Sequence, residues 1–260
     1  MERAVFVPDI ERLSPAGGPY DRLYLGSEFC PWRLPSAREL HEALAAATRR
    51  GMSFSLVTPF LDEPGLALTL ALIRALPEDP ATEIIANDLG LIEALRAAGW
   101  KGTIVAGRLL TRQRRGPGFQ SFGDVPSEAA AALRGSALDS PAFVELLGSV
   151  YGVKRFELDD LVQGLSVPAL PAGVSLSLYR PYLLVTATRN CPWVFDGQTW
   201  GHGHGCARPC RAQALRLSPA AQNGEQPLLL GGCAQFLEHR SDAKPPHGVD
   251  RTVWQPGIPS

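Results

Sequence analysis

The sequence predicts an α/β fold of the TIM-barrel type, an incomplete or irregular β/α barrel, on three observations. Short apolar runs alternate with helical stretches through the first 160 residues. Most of those runs are apolar throughout, as expected of strands covered on both faces of a parallel sheet. The connections are short, which suits right-handed parallel β–α–β units. At 260 residues the chain also reaches the length of roughly 250 that one such barrel usually needs.

The elements follow in order. Runs at 4–7, 23–25, 53–57, 84–86 and 103–106 read as strands. Ser36 is a helix N-cap, and Glu39 stands three residues on, where its carboxylate can return a hydrogen bond to the cap. That helix should run to about Arg50 and stop at Gly51, a residue suited to the left-handed turn that ends helices. Pro64 opens a second helix, with Leu66, Leu70, Ile73 and Leu76 along its buried side. The leucine-rich stretch 66–76 reads as a buried helix, because it is far shorter than the roughly 18 apolar residues of a membrane span. Leu91, Ile92 and Leu95 stripe a third helix, closed by Gly99. A fourth helical region, 127–150, is broken near Gly135 and Pro141.

Beyond Phe156 the alternation stops. Runs at 156–162 and 182–187 read as strands, joined by a loop containing Pro168, Pro171 and Gly173. Segment 191–210 is irregular and rich in glycine, and 211–217 with 227–236 form a β-pair across the polar turn 221–225. The organisation is then one barrel-like domain over 1–238, with the loop 191–210, and a proline-rich terminal segment over 239–260 that includes one last short strand at 251–254. No Gly-x-Gly-x-x-Gly follows an early strand, which weighs against a dinucleotide-binding sheet.

Bulk composition narrows the function. With 45% hydrophobic and 20% charged residues the chain can bury a sizeable core. A net charge of −1 gives no general attraction to nucleic acid or anionic membranes, although a local patch can still meet either. The first residues lack the apolar core of a signal peptide, so a cytoplasmic location is expected, where thiols stay reduced. The five cysteines are then metal ligands or core residues rather than a disulfide framework.

Cys206 and Cys210 put two thiols within one irregular turn, Cys191 follows the strand at 182–187, and Cys30 follows the strand at 23–25. A barrel gathers the C-terminal ends of its strands on one face, so Cys30, Cys191, Cys206 and Cys210 can meet there. Four thiolates suit a [4Fe–4S] cluster or a tetrahedral zinc ion. Cys30-Pro31-Trp32 and Cys191-Pro192-Trp193 repeat one tripeptide whose tryptophans can shield such a centre. Cys233, within an apolar run, reads as a core residue. His202 and His204 keep a Cys/His zinc site in contention. Asp88, Arg108, Glu157 and Asp159 stand at or just beyond strand ends, where they would line the pocket, and the basic stretch 108–115 would bind an anionic donor or a partner. Asp88 can equally cap the helix that starts at Leu89.

The segments Tyr24-Leu25-Gly26-Ser27-Glu28-Phe29-Cys30, Asn87-Asp88-Leu89-Gly90, Gly107-Arg108-Leu109-Leu110 and Arg189-Asn190-Cys191, in that order, resemble the collagenase-like peptidases of family U thirty-two. The cysteine layout is most similar to the UbiV-like iron–sulfur subgroup. That resemblance implies a barrel-like domain and a [4Fe–4S] cluster on Cys30, Cys191, Cys206 and Cys210. It also implies a role in oxygen-independent hydroxylation, of a quinone-type or RNA-base substrate, together with a second family member. Prephenate serves as donor in some related proteins. A peptidase is the weaker reading, since no His-Glu-x-x-His, no Gly-x-Ser-x-Gly and no Cys–His pairing stands out. A non-enzymatic iron–sulfur subunit and a zinc scaffold complete the alternatives.

Overall fold

The structure, a computed structural model, describes residues 1–13, 18–115, 125–195, 197–198, 206–217 and 226–259. Strands β1 (Glu2–Val7), β2 (Arg22–Gly26), β3 (Ser53–Val57), β4 (Thr82–Ala86), β5 (Thr103–Ala106), β6 (Arg155–Asp159) and β7 (Ser175–Arg180) belong to one parallel sheet. With β12 (Val249–Trp254) they close it into an eight-stranded barrel in the order β1-β12-β7-β6-β5-β4-β3-β2. Helices α1 (Ala37–Arg49), α2 (Glu63–Ile73), α3 (Leu89–Ala97), α4 (Ser127–Leu133) and α5 (Pro141–Tyr151) all fall between β2 and β6. The barrel is thus closed in its strands and irregular in its helices.

The first half follows local chemistry closely. Ser36 caps α1, accepting from the Glu39 amide at 3.2 Å while the Glu39 carboxylate accepts from the Ser36 amide at 2.7 Å. Gly51 and Gly99 take left-handed φ of +66° and +70° just after their helices. The break of 127–150 into α4 and α5 occurs where expected, with Ser140 capping α5.

Three readings are corrected. The stretch 66–76 is not a buried helix: α2 buries Gly65, Thr69, Leu72 and Ile73, while Leu68 is 51% exposed. The side expected to be buried is the inner one, with Ile73 and Leu76 buried and Leu66 and Leu70 packed against the core, while the opposite face meets solvent. Segment 175–180, placed in a loop, is barrel strand β7, whose Ser177 and Tyr179 point into the lumen and whose Leu176 and Leu178 pack outward. The terminal strand, set apart from the barrel by a boundary at 238, is β12, paired with both β1 and β7.

The remaining strands form a second sheet: β8 (Tyr182–Ala187), β9 (Ala214–Arg216), β10 (Leu229–Gly231) and β11 (Ala234–Glu238), antiparallel in the order β8-β11-β10-β9. The expected run 227–236 is therefore two strands folded back at Gly232, and β8 is no barrel strand. Leaving the end of β7 directly, this sheet packs Leu184, Leu229 and Phe236 against Phe29, in the loop beyond β2. It therefore lies against the C-terminal mouth of the barrel.

The lumen is polar as well as apolar. At the N-terminal end Arg251 bonds Glu83 at 2.7 and 2.9 Å, Glu2 at 2.6 Å and the Tyr24 hydroxyl at 2.7 Å. Arg22 bonds Glu2 at 2.7 Å beside them. Among the described residues no helix is long and apolar enough to cross a membrane.

Candidate metal centre

Cys30 is held by the way β2 ends. Gly26 has φ +133°, and a Cβ there would stand 2.1 Å from the Val57 carbonyl oxygen, so only glycine lets β2 leave β3 at this point. The chain then turns. Ser27 Oγ accepts from the Cys30 amide at 3.3 Å, and the Cys30 carbonyl accepts from the Arg33 amide at 3.1 Å.

Cys191 follows β8 and opens a turn in which Val194 N donates to its carbonyl at 3.3 Å. Trp193 Nε1 donates to the Gly232 carbonyl at 2.8 Å, tying the second Cys-Pro-Trp tripeptide to the β10–β11 turn. Cys206 and Cys210 flank Arg208, whose left-handed φ of +56° folds them around one bend. The Arg208 amide donates to Cys206 Sγ at 3.2 Å. Arg211, next to Cys210, is clamped to the barrel by Asp9 at 2.8 Å and Glu39 at 3.0 Å, while its carbonyl accepts from Arg12 at 2.6 Å.

These separate segments bring Cys30, Cys191, Cys206 and Cys210 to the wall of one cavity of about 330 Å³. Cys233, read as core, lines the same cavity from the β10–β11 turn, with Sγ 3.1 Å from the Phe29 carbonyl oxygen. Arg33, Arg189 and Arg208 line it too, beside Asp62. Sequence reasoning missed these three arginines, although Arg208 stands between two cysteines and Arg189 nearly adjoins a third. His202 and His204 lie outside the described residues.

The thiols feel one another. A hydrogen bond from Cys233 is the main influence drawing the Cys30 thiol down to about 7, with the Trp32 and Arg33 amides assisting against burial. The same bond, with burial, pushes Cys233 far up. Burial raises Cys191 and Cys210, and neighbouring thiolates add to it. Among the described residues no three His, Cys, Asp or Glu side chains close on a single point as one bound ion requires. The thiols ring a cavity instead.

The four expected pocket residues do not line this cavity. Asp88 caps α3, accepting from Leu91 N at 3.2 Å, and also accepts from Leu61 N at 3.0 Å. Arg108, Glu157 and Asp159 are fully enclosed in the lumen below the mouth. Arg108 bonds Glu28 at 2.5 and 2.8 Å and Asp159 at 2.6 Å, and stacks 4.3 Å from the Tyr179 ring centre. Burial opposes its charge, but Glu28 and Asp159 prevail and hold the guanidinium protonated. Burial lifts Glu157 to about 8, although the Tyr179 hydroxyl donates to it at 2.6 Å. The basic stretch 108–115 is not one surface either. Arg115 is paired with Asp159 at 2.8 Å, leaving Arg112 and Arg114 exposed.

No family model and no curated protein matches the sequence. A solved structure, that of the U32 peptidase Mk0906, is similar over 100% of this chain and 94% of its own, with a TM-score of 0.50 and 14% sequence identity. At that identity the likeness is one of fold.

Proposed function

We propose that this chain is an iron–sulfur protein of the U32-like, UbiV-like type, and that it serves oxygen-independent hydroxylation of a quinone-type or RNA-base substrate together with a partner homologue. Cys30, Cys191, Cys206 and Cys210 would hold a [4Fe–4S] cluster. One observation carries the reading: thiols from distant parts of the chain line one cavity at the barrel mouth. Four thiolates around a single zinc ion stand about 3.8 Å apart, from Zn–S bonds of about 2.3 Å. A cavity of about 330 Å³ lined by thiols has room for a multi-atom cluster. The arginines on the same wall offset the negative charge that four thiolates bring. Such a cluster supplies electron transfer, and the protein's part is to exclude water and fix the ligands.

The test is anaerobic purification with iron, sulfide and zinc analysis. About four iron and four sulfide per chain are expected for a cubane cluster. Single alanine substitutions at Cys30, Cys191, Cys206 and Cys210 should lose most of it. Stoichiometric zinc without iron would instead establish the zinc scaffold. Peptide cleavage by pure protein would favour the peptidase, although no described residue lining the cavity is a histidine.

A carboxylate-bearing donor such as prephenate would meet Arg189 rather than Arg108, whose donors are committed to Glu28 and Asp159. Among the described residues, Arg189 lies 5.1 Å from the Phe60 ring centre and makes one long hydrogen bond, 3.5 Å, to the Leu61 carbonyl. Its guanidinium therefore keeps donors for a bidentate pair. Arg189→Ala should weaken prephenate binding about tenfold or more in calorimetry, the worth of a charged hydrogen bond. Unchanged binding in Arg189→Ala with loss in Arg108→Ala would reverse the assignment.

A further inference from the structure

Five thiols line a cavity for which the proposed cluster needs four. The fifth, Cys233, sits at the tip of the β10–β11 turn, where its position is closely set. Its carbonyl accepts from Thr188 N at 2.9 Å, and the neighbouring Gly232 carbonyl accepts from Trp193 at 2.8 Å. Its sulfur stands 3.1 Å from the carbonyl oxygen of Phe29, the residue before Cys30. Cys30 packs against the same apolar group and shares a hydrogen bond with the Cys233 thiol. The Cys233 thiol thus lies against the backbone that carries Cys30, on the wall of the cavity both residues line.

We propose that Cys30 and Cys233 form a reversible disulfide when the metal site is empty, with a low-molecular-weight disulfide such as oxidised glutathione as the oxidant. The Cys30 thiolate attacks one glutathione sulfur. The glutathione S–S bond breaks, a Cys30–glutathione mixed disulfide forms, and one glutathione leaves as its thiolate. The Cys233 sulfur then attacks the Cys30 sulfur and expels the second glutathione, whose departing sulfur takes up the Cys233 proton. Two protein thiols are oxidised, one small disulfide is reduced to two thiols, and the departing thiolates recover the two protons. The consequence rests on the reading above: the bond removes Cys30 from the ligand set, so the oxidised chain cannot take up a cluster until it is reduced.

The experiment treats the metal-free full-length chain with oxidised glutathione, blocks remaining thiols with iodoacetamide, and maps disulfides by mass spectrometry without reduction. The expected main product is the Cys30–Cys233 cross-link. In Cys233→Ala, Cys30 should remain as the glutathione adduct. Reconstitution with iron and sulfide should fail after oxidation and return with dithiothreitol. A map dominated by Cys206–Cys210, or a persistent glutathione adduct on Cys30 of the unaltered chain, would overturn the proposal. The map on the unaltered chain needs neither metal nor a variant. A Cys30–Cys233 cross-link in a chain that never accepts iron would keep the pair and sink the cluster reading.

Discussion

Inside the barrel lumen, a group keeps its charge where an opposite charge balances it, and otherwise turns neutral. Glu28 and Asp159 face Arg108 and Arg115, two carboxylates against two guanidinium groups, and all four are enclosed or nearly so. Glu157 adds a third carboxyl with no cation of its own at that level, and burial holds its pKa at about 8. It is therefore neutral in the folded chain at pH 7, whereas the unfolded chain ionises it near 4.5. Between those values the folded state binds one more proton, so stability falls as pH rises through that window. The slope from this group is at most about 1.4 kcal/mol per pH unit. Glu157→Gln keeps an acceptor for Tyr179 and removes the titration. Urea midpoints from pH 5 to 8 should show the unaltered chain losing stability relative to the variant as pH rises; parallel profiles would refute it. From sequence, Glu157 and Asp159 were identifiable as strand-end residues but not as lumen residues. Whether a barrel end is open or plugged depends on what the other strands contribute. Cys233 is the buried core residue that its apolar neighbours Leu228, Leu229 and Leu230 imply, but that run does not reveal the cavity it also lines or the thiol across from it.

Local signals acted well where one element decides the matter and badly where two must be compared. The α1 cap, the glycine stops of α1 and α3, and strands β1 to β5 were legible because each needs only its own residues. Strand β7 was hidden because Ser175 and Ser177 dilute its apolar character, and the polar positions make sense only once they face a lumen. Gly26 shows how an element's end can govern the site. The Cβ of any other residue would press on the Val57 carbonyl at 2.1 Å, in a backbone conformation that L side chains rarely adopt. Gly26→Ala should cost at least about 2 kcal/mol, by relaxation of β2 away from β3. It should also impair the iron uptake proposed above, since Cys30 lies four residues on and inherits the displacement. Denaturant unfolding beside iron analysis checks both, and a variant with the unaltered midpoint would show that β2 leaves the sheet without that constraint.

At the scale of the whole molecule, the cysteine cavity is a product of closure. Cys30 is held by the barrel, and Cys191 and Cys233 by the sheet over its mouth. Cys206 and Cys210 lie in a segment that Arg211 fastens to Asp9 and Glu39. Each thiol could be singled out from sequence, but their meeting depends on β12, the last strand in the chain. Val249–Trp254 bridges β1 and β7, and its Arg251 answers the charges of buried Glu83 and part-buried Glu2. A chain ended at residue 238 would leave two strand edges unpaired. It would also leave Glu83 with Arg22 as its one cation among the described residues, at 3.3 Å, beside the Ser55 hydroxyl at 2.8 Å. Losing one partner of a buried ion pair costs about 3–5 kcal/mol, a large share of the roughly 5–15 kcal/mol that stabilises a typical domain. The truncated chain should therefore lose its cooperative unfolding transition and, with it, the iron uptake proposed above. Circular dichroism during urea titration, run beside iron analysis, reads both. A truncated chain that unfolds cooperatively at the unaltered midpoint would show that β12 seals an already stable barrel rather than completing it.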